Sequence, residues 1–501
     1  MTNQAQRTTL TLDLAGIHLD KQQGRLSKQL YLVLRLRILA TSTKYQLKLP
    51  TTRELALTLH VSRNTVVRAY EQLYAEGYLH SRVGDGTYAD GLAEVLPLAK
   101  TNKTDRLLSS QSPPHSIMLA RINNQINQNK RRIYAGLPRA FRLGIPAYDV
   151  FPQAIWSRLQ ASFWRHAPQT QMGYGEMGGD VQLRALVAAY LRNARGLACD
   201  PSQIIITAGA QHAISLCAQL LLDSGDHVAI ENPGYSSAAQ AFRMVGAQLQ
   251  GIDVDADGLV TDQLNNHPQC RMAYVTPSHQ YPLGVTLSLA RRMALLAWAE
   301  AHKAWIVEDD YDGEYRYDGA PLAPLAALDR SERVLYVGTF SKITFPGLRL
   351  GYLVAPPALV QPLMQLQAMQ GRHAASVDQA VMTEFIAAGH FQRHIRRMRR
   401  ASRARRDALL AGWQPLFGER MPLPTIAAGL HVSVPLASIE EETALVENAA
   451  TVGVEMNPLS RFCLPSLPPR TGLVLGFAAV NETAIQMALM ALKRVWPSSR
   501  T

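Results

Sequence analysis

A single lysine in a short loop after an apolar segment is the residue best placed for covalent chemistry. The segment Val334–Val337 is predicted to be a buried strand, and the following VGTFSKITFPGLRLGY stretch carries Lys342 and, seven residues later, Arg349. An amine held beside a guanidinium suits a Schiff base with a carbonyl compound that also carries a phosphate. Alone the pattern is weak, because most lysines stay solvated. Its meaning depends on what the other segments supply.

Two other predicted strands end in groups that suit an anion and a flat ring. After the apolar segment Ile204–Thr207, the small residues Gly209 and Ala210 open a predicted helix. Small residues at a helix N-terminus expose backbone N–H groups, which attract anions. After the segment Val228–Ile230, Tyr235 places an aromatic ring where it could stack on a flat cofactor. Most such turns bind nothing and a lone tyrosine is more often packing, so neither segment decides the function by itself.

A carboxylate at a third strand end completes the pattern. The segment Glu308-Asp309-Asp310-Tyr311 ends another predicted buried strand. A carboxylate in that place can hold a protonated pyridine nitrogen, and the nearby phenol can bond a phenolate oxygen. With the anion site, the stacking ring, the lysine and the arginine, these groups form the set that binds pyridoxal 5′-phosphate (PLP). The sequence therefore predicts this cofactor.

On these motifs, most of residues 141–501 resembles the fold-type I aminotransferases. The resemblance implies that Lys342 forms the internal aldimine and that Asp309 pairs with the pyridine nitrogen. It also implies a dimeric site, since Tyr174 in GYGEMGG resembles the tyrosine that reaches the partner subunit's phosphate. The other implied contacts are stacking by Tyr235, a bond from Tyr311 to the cofactor's O3′, and phosphate binding by Gly209, Ala210, Thr339 and Arg349.

Two positions depart from the pattern of working aminotransferases. Those enzymes usually have Asn-Pro-x-Gly where this chain has SHQYPLG, so Tyr281 replaces the amide that would bond O3′. They also usually carry an arginine for the substrate carboxylate where this chain has Val474, and Arg461 in PLSRFC is the nearest substitute. Both changes argue against fast turnover.

The N-terminal part contains a pattern of three short helices and a hairpin. Residues 26–40 have apolar side chains at helical spacing, and a capping box of Thr51 and Glu54 opens a second helix. Ser62 can cap a third helix, and residues 78–88 form two extended segments around a Gly-x-Gly turn. Such an arrangement is a winged helix-turn-helix, in which the start of the second helix of the motif reaches base edges in the major groove.

The segment LPTTRELALTLHVSRNTVVRAYEQLYAEGYLHSRVGDGTYA, within residues 26–89, resembles the GntR family of bacterial repressors. His60 stands where the family's turn usually has glycine, which predicts a positive φ at a histidine. The TSTKYQLK segment between the first two helices is interpreted as a loop without the usual glycines. A helical hairpin used for protein contact is the alternative. The DNA contacts implied by the resemblance are Arg53, Arg63, Asn64, Thr65, Arg68 and, in the wing, Gly84.

The distribution of charge predicts that a polyanion binds to the N-terminal part. The net charge is +12, and residues 1–88 carry 12 Lys and Arg against 6 Asp and Glu. Residues 89–140 are also basic, whereas residues 141–501 are nearly balanced. A localised basic excess is typical of nucleic-acid binding. The polar stretch 90–140 is predicted to be a flexible basic linker, either solvated or lying on DNA.

Composition also bears on location. Four scattered cysteines without metal-ligand spacing indicate buried thiols in a reducing compartment. Neither a signal peptide nor a membrane-spanning segment is expected, because no apolar segment is long enough. The sequence predicts a cytoplasmic protein with no membrane partner.

Together, the two halves resemble the MocR (GabR-like) subgroup of GntR regulators over nearly the whole chain. The expected fold is α/β: a winged helix-turn-helix at 20–89, a linker at 90–140, and a PLP-dependent transferase domain at 141–501. That last domain should have a mostly parallel sheet and a smaller C-terminal α+β part. The implied function is a homodimeric, head-to-tail regulator that binds operator DNA and senses PLP or an amine through an aldimine at Lys342.

Two other functions stay open at this point. A working aminotransferase with a regulatory N-terminal domain is one, since Lys342 and Asp309 are both present. A DNA-binding protein with a vestigial core that needs no PLP is the other. A basic segment from Arg393 to Arg406 is predicted to be a solvated helix, with a second DNA- or subunit-facing surface as the alternative.

Overall fold

The computed structural model describes residues 8–41, 45–82, 84–90, 136–319 and 322–496. The chain divides into two compact units, Met1–Met118 and Leu119–Thr501. Most of the stretch predicted as a basic linker lies outside the described residues. Among the described residues, no helix is long and apolar enough to cross a membrane.

In the described part of the N-terminal unit, three α-helices accompany a four-stranded sheet. The elements are α1 (Leu26–Ala40), α2 (Thr52–Thr58), α3 (Arg63–Ala75), β1 (Thr8–Thr11), β2 (Tyr45–Leu49), β3 (His80–Arg82) and β4 (Gly86–Asp90). The sheet order is β1-β2-β4-β3. Helix α1 buries Leu30, Leu34 and Ile38 completely, at the helical spacing that predicted it. The predicted capping box is present, and the Ser62 side chain accepts from the Thr65 N–H at the start of α3.

The interpretation of TSTKYQLK as a loop is wrong for its second half. Tyr45–Leu49 forms β2, which pairs in parallel with β1 and antiparallel with β4. Leu47 and Leu49 alternate into the core, so the strand is stabilised by burial of one face. The positive φ expected at His60 is present, at 53°. The N-terminal unit therefore carries a larger sheet than the predicted wing alone.

The second unit alternates strands and helices in the predicted manner. Its strands are β5 (Ile204–Thr207), β6 (His227–Asn232), β7 (Gln248–Asp255), β8 (Gly258–Leu259), β9 (Cys270–Val275), β10 (Trp305–Asp310), β11 (Val334–Thr339), β12 (Gly351–Val354), β13 (His431–Pro435), β14 (Asn457–Pro458) and β15 (Gly472–Gly476). Its helices are α4 (Gln153–His166), α5 (Gln169–Met172), α6 (Val181–Arg195), α7 (Ala210–Leu221), α8 (Ser236–Met244), α9 (Leu289–Ala301), α10 (Pro357–Gly371), α11 (Ser376–Ala387), α12 (His390–Phe417), α13 (Ile439–Thr451) and α14 (Glu482–Val495).

The main sheet has eight strands in the order β5-β12-β11-β10-β9-β6-β7-β8. Strand β12 runs antiparallel to both neighbours and β8 runs antiparallel to β7, while the other pairings are parallel. The strands β5, β10 and β11 are almost wholly buried on both faces, as expected for a sheet covered by helices. The prediction of a mostly parallel α/β sheet is confirmed. Strands β5, β6, β9, β10 and β11 point the same way, so their carboxyl ends share one edge.

A smaller C-terminal part packs helices on a three-stranded sheet of order β13-β15-β14. Its core includes Trp413, Leu473, Leu475 and Leu489, all without solvent exposure. This confirms the predicted α+β part. Val474, on β15, is also fully buried.

The arginine-rich segment lies in α12, and several of its arginines bond to their own chain. Arg399 donates to the Glu314 carbonyl, Arg405 donates to the Ala478 carbonyl, and Arg403 donates to the Tyr317 carbonyl. Arginines that hold backbone carbonyls of other elements stabilise the packing of the helix. The prediction of a merely solvated helix is therefore wrong for Arg399 and Arg405, whereas Arg403 is exposed despite its bond. Arg396 and Arg400 remain exposed.

Candidate functional site

The shared carboxyl edge of the main sheet opens into one cavity of about 420 Å³. The loops after β6, β10 and β11 and the start of α7 contribute its walls, together with parts of the C-terminal sheet. The predicted site residues that line it are Ala210, Tyr235, Tyr281, Asp309, Tyr311, Thr339, Lys342, Arg349 and Arg461. The structure thus brings together groups that are up to 251 residues apart in the chain.

Lys342 lies in this cavity with its amine donating to the Gly144 carbonyl at 2.8 Å. Burial lowers the pKa of this amine, while the carboxylates of Asp312 and Asp309 oppose the shift. A lysine with a lowered pKa spends more time as the neutral amine, which is the nucleophilic form. The site therefore favours covalent chemistry at Lys342 rather than a simple surface charge.

Asp309 is the observation that tests whether PLP fits. Its Oδ2 accepts from the Tyr274 hydroxyl at 2.7 Å, while its Oδ1 is buried and has no hydrogen-bond partner among the described residues. Burial raises the pKa of Asp309 to about 7. A buried carboxylate in a cavity wall, with one oxygen unsatisfied, is stabilised by a cationic donor. The protonated pyridine nitrogen of PLP is such a donor, so the residues fit the cofactor.

The neighbouring carboxylates serve other purposes. Side chains alternate along β10, so Glu308 and Asp310 point away from Asp309. Glu308 accepts from the Leu325 and Ala326 N–H groups at 2.7 and 2.8 Å. Asp310 pairs with the buried Arg195. The middle carboxylate of the Glu-Asp-Asp sequence is therefore the one that reaches the cavity.

The residues of the predicted anion site meet at the start of α7. Gly209 has a φ of 93°, and a Cβ on it would lie 3.3 Å from Arg349 Nη2, so the arginine packs directly against this turn. Arg349 also donates to the Ala208 carbonyl at 3.0 Å. The buried hydroxyls of Ser237 and Ser341 have no partner among the described residues. Backbone N–H groups, a guanidinium and spare hydroxyls together suit a phosphate.

Three tyrosines line the same cavity as Arg349. The rings of Tyr235 and Tyr281 meet edge to face at 5.6 Å, as do those of Tyr281 and Tyr311 at 5.7 Å. The Tyr311 hydroxyl donates to the His279 carbonyl at 2.9 Å. A bond from Tyr311 to O3′ would therefore require that hydroxyl to turn, and the contact stays a prediction.

Tyr174 lies outside this cavity. It is 79% exposed, and the Arg372 guanidinium carbon lies 3.8 Å from the centre of its ring. The Gly175 N–H donates to His373 Nε2 at 2.9 Å, which holds the loop that carries Tyr174. An exposed tyrosine on a held loop is compatible with reaching a partner subunit, and that role stays a prediction.

Several site residues were not predicted from the sequence. Tyr274 lies inside β9, Ser237 lies in the first turn of α8, and the Gly144 carbonyl belongs to a loop far from Lys342 in sequence. The serine in Phe340-Ser341-Lys342 could have been noticed, because hydroxyls beside a lysine and an arginine suit phosphates. The other residues carry no local signal, since only the folded sheet brings them to the cavity.

The DNA-binding prediction falls on an exposed surface of the N-terminal unit. Arg63, Asn64 and Arg68 are exposed along the start of α3, and Thr65 is half-buried under the Ser62 cap. The Arg63 Nε donates to the Thr52 hydroxyl at 3.5 Å, a weak contact. Arg53, at the start of α2, and Gly84, with a φ of 77°, are exposed as well. These side chains are available to a polyanion.

Comparison with known proteins decides the family. Residues 140–466 match the aminotransferase class I and II family, and residues 26–89 match the gntR family of bacterial regulatory proteins. A probable rhizopine catabolism regulatory protein, MocR, from Rhizobium meliloti is 35% identical over 93% of this chain and 92% of its own length. This chain belongs to the MocR-like regulators of the GntR family.

Other relatives of this MocR-like chain agree with that assignment. The pyridoxine biosynthesis transcriptional regulator PdxR of Corynebacterium glutamicum is 32% identical over 88% of this chain and 89% of its own length. Among solved structures, a kynurenine aminotransferase from Pyrococcus horikoshii aligns with a TM-score of 0.67 at 27% identity, over 76% of this chain and 95% of that one. LysN from Thermus thermophilus, complexed with N-(5′-phosphopyridoxyl)-L-leucine, aligns with a TM-score of 0.66 at 27% identity, over 72% of this chain and 92% of that one.

These findings confirm the predicted resemblance, fold class and cofactor. The aminotransferase-like domain of this MocR-like protein is a PLP-binding domain, and its N-terminal domain is a DNA-binding helix-turn-helix. The individual contacts to cofactor and DNA stay predictions of the geometry.

Proposed function

We propose that this protein is a cytoplasmic transcriptional regulator that binds operator DNA and senses PLP or an amine at Lys342. The observation that carries the proposal is the buried Oδ1 of Asp309, which has no partner in the described part of the chain and lies in the same cavity as Lys342. A buried carboxylate oxygen without a hydrogen-bond partner lowers the stability of the folded protein. A cofactor that pairs with Asp309 would offset this loss.

Different residues of the cavity would hold different parts of the cofactor. When bound, PLP supplies an electron-withdrawing ring and an aldehyde that reacts with amines. Asp309 would hold the proton on the pyridine nitrogen, and Tyr235 would cover one face of the ring. Lys342 would provide the covalent attachment. The phosphate would lie at the start of α7, held by Gly209, Ala210, Thr339 and Arg349.

Arg461 is the residue of the cavity that would bind an anionic group of an effector. Arg461 lines the cavity and is exposed, so its guanidinium is available to a carboxylate. Val474, in contrast, is fully buried and offers no charge. The effector we propose is therefore an amine that carries an anionic group near Arg461, or PLP itself. This difference from working aminotransferases favours sensing over turnover.

The assembly we propose is a homodimer, arranged head to tail. Tyr174 would reach the phosphate of the partner subunit from its exposed loop. An effector that binds one arrangement of the subunits more tightly shifts the population of DNA-binding states by that difference in affinity. The population of the DNA-binding state would then depend on whether PLP or an effector is bound at Lys342.

Arg63→Ala should weaken operator binding by roughly 1–3 kcal/mol if Arg63 reads a base edge in the major groove. The reason is its exposed position at the start of α3, the part of the motif that enters the groove. Fluorescence anisotropy with operator and scrambled DNA at physiological salt measures the effect. Arg25→Ala, which removes another exposed arginine, just before α1, is the matched control. Equal losses for both variants, or none for Arg63→Ala, would refute the role.

A further inference from the structure

His431 is a buried residue of the cavity that the assignments above do not use. It begins β13, is 4% exposed, and lines the cavity together with Lys342 and Arg461. Its ring meets the Tyr281 ring edge to face at 5.2 Å and stacks with the Tyr311 ring at 6.5 Å. Packing on these two rings fixes the orientation of the imidazole. The residue is therefore a rigid part of the cavity wall.

The Nε2 atom of His431 is buried and has no hydrogen-bond partner within the described part of the chain. The nearest imidazole, His279, is 4.7 Å away between ring centres, and its Nδ1 already faces the Asp312 carboxylate and the Tyr311 hydroxyl, each at 3.0 Å. Burial, then His279 and Lys342, lower the pKa of His431 well below its usual value, so the ring is neutral at physiological pH. A buried nitrogen without a hydrogen bond costs free energy, and a ligand that hydrogen-bonds to it removes that cost.

The chemistry of a neutral imidazole limits what that ligand group can be. One ring nitrogen of His431 bonds to the Pro282 carbonyl, which can only accept, so that nitrogen carries the N–H and the unpaired Nε2 is a bare acceptor. A hydroxyl group can donate to it. A carboxylate or phosphate is better served by the guanidiniums of Arg461 and Arg349, which carry full charge. The amine of the effector is expected at Lys342, so the group that suits His431 is an uncharged hydroxyl.

We propose that His431 is a specificity-determining residue that hydrogen-bonds a hydroxyl group of the amine effector. The effector class is then a hydroxylated amine, such as an amino alcohol or a hydroxyamino acid. This inference rests on the proposed function, because it assumes that amines enter the cavity at Lys342. It adds a recognition element on a strand that lies 89 residues beyond that lysine.

Matched pairs of amines that differ by one hydroxyl test the inference on the full-length, PLP-loaded protein. The pairs are L-alanine and L-serine, β-alanine and isoserine, and 4-aminobutyrate and 4-amino-3-hydroxybutyrate. Isothermal titration calorimetry gives the Kd of each amine for the wild type, His431→Phe and His431→Gln. Phenylalanine keeps an aromatic ring without nitrogen, and glutamine keeps a donor and an acceptor. The PLP absorbance and the thermal midpoint of each variant verify folding, and His431→Leu replaces a variant that fails to fold.

We expect the wild type to prefer the hydroxylated member of at least one pair by about tenfold. His431→Phe should bring that preference within about twofold, and His431→Gln should keep most of it. Equal affinities within every pair, or an unchanged preference in His431→Phe, would overturn the inference. Zinc binding by calorimetry that requires His431 would also overturn it, since His279, Asp312 and His431 lie close enough to share an ion. If the wild type bound no PLP at all, the proposed function itself would fail.

Discussion

Lys342→Ala should abolish covalent attachment of PLP while leaving the fold intact. The Lys342 amine is buried in the cavity, and burial lowers its pKa, which favours the neutral, nucleophilic form that the proposed attachment requires. Alanine removes the amine and its bond to the Gly144 carbonyl but leaves the strand β11 and its core contacts unchanged. Borohydride treatment followed by mass spectrometry measures the attachment. The expected result is a PLP-sized mass increase in the wild type and none in the variant.

Lys493→Ala is the matched control, because Lys493 is exposed near the end of α14. It should behave as the wild type in the mass measurement. Circular dichroism and the thermal midpoint establish that both variants fold. A reduced PLP adduct that persists in Lys342→Ala would show that another amine carries the cofactor.

Asp309→Asn should weaken PLP binding by about 2 kcal/mol or more, roughly 30-fold in Kd, because it removes the charge that pairs with the pyridine nitrogen. Asparagine has nearly the same shape, so the packing around Tyr274 is retained. The Kd follows from titration of apoprotein with PLP by absorbance. The loss should narrow as pH falls from about 8 to about 6, because wild-type Asp309 then becomes protonated and loses its own charge.

The sign of this pH effect follows from the buried carboxyl. Burial raises the pKa of Asp309 to about 7, above its value in an unfolded chain. The folded apoprotein keeps Asp309 protonated where the unfolded chain has lost the proton, so its stability falls as pH rises from about 4 to about 7 and then stays at the lower level. A cation that pairs with ionised Asp309, such as the PLP pyridinium, offsets this loss. Asp257→Asn, at an exposed carboxylate, is the control and should leave the Kd unchanged. A Kd for Asp309→Asn equal to that of the wild type would contradict the pairing.

The sequence predicted those site residues that lie at or just after the end of a strand. Lys342, Asp309 and Tyr235 each follow an apolar segment closely, and parallel strands bring such positions to one edge. The helix-turn-helix was predictable because its caps at Thr51 and Ser62 are local hydrogen bonds between neighbouring residues. Local patterns and sheet geometry therefore accounted for most of the architecture.

The rest depended on contacts between distant segments. Tyr274 bonds Asp309 across adjacent strands, and His431 reaches the cavity from the C-terminal sheet, which no local pattern indicates. Strand β2 was missed because Tyr45–Leu49 follows polar residues, and its stability comes from pairing with β1 and β4. The arginines of α12 looked solvated in sequence because their carbonyl partners lie on other elements.

The most direct test of the account is the affinity of the full-length protein for DNA upstream of its own gene, with and without PLP. We predict that saturating PLP changes the wild-type DNA Kd by at least about fivefold, because the cofactor favours one DNA-binding state. Lys342→Ala should show no such change at the same PLP concentration. A wild-type DNA Kd that is identical without PLP, with PLP, and with PLP plus each of the amines above would contradict the claim that Lys342 makes this protein a sensor. An equal change in Lys342→Ala would contradict it as well.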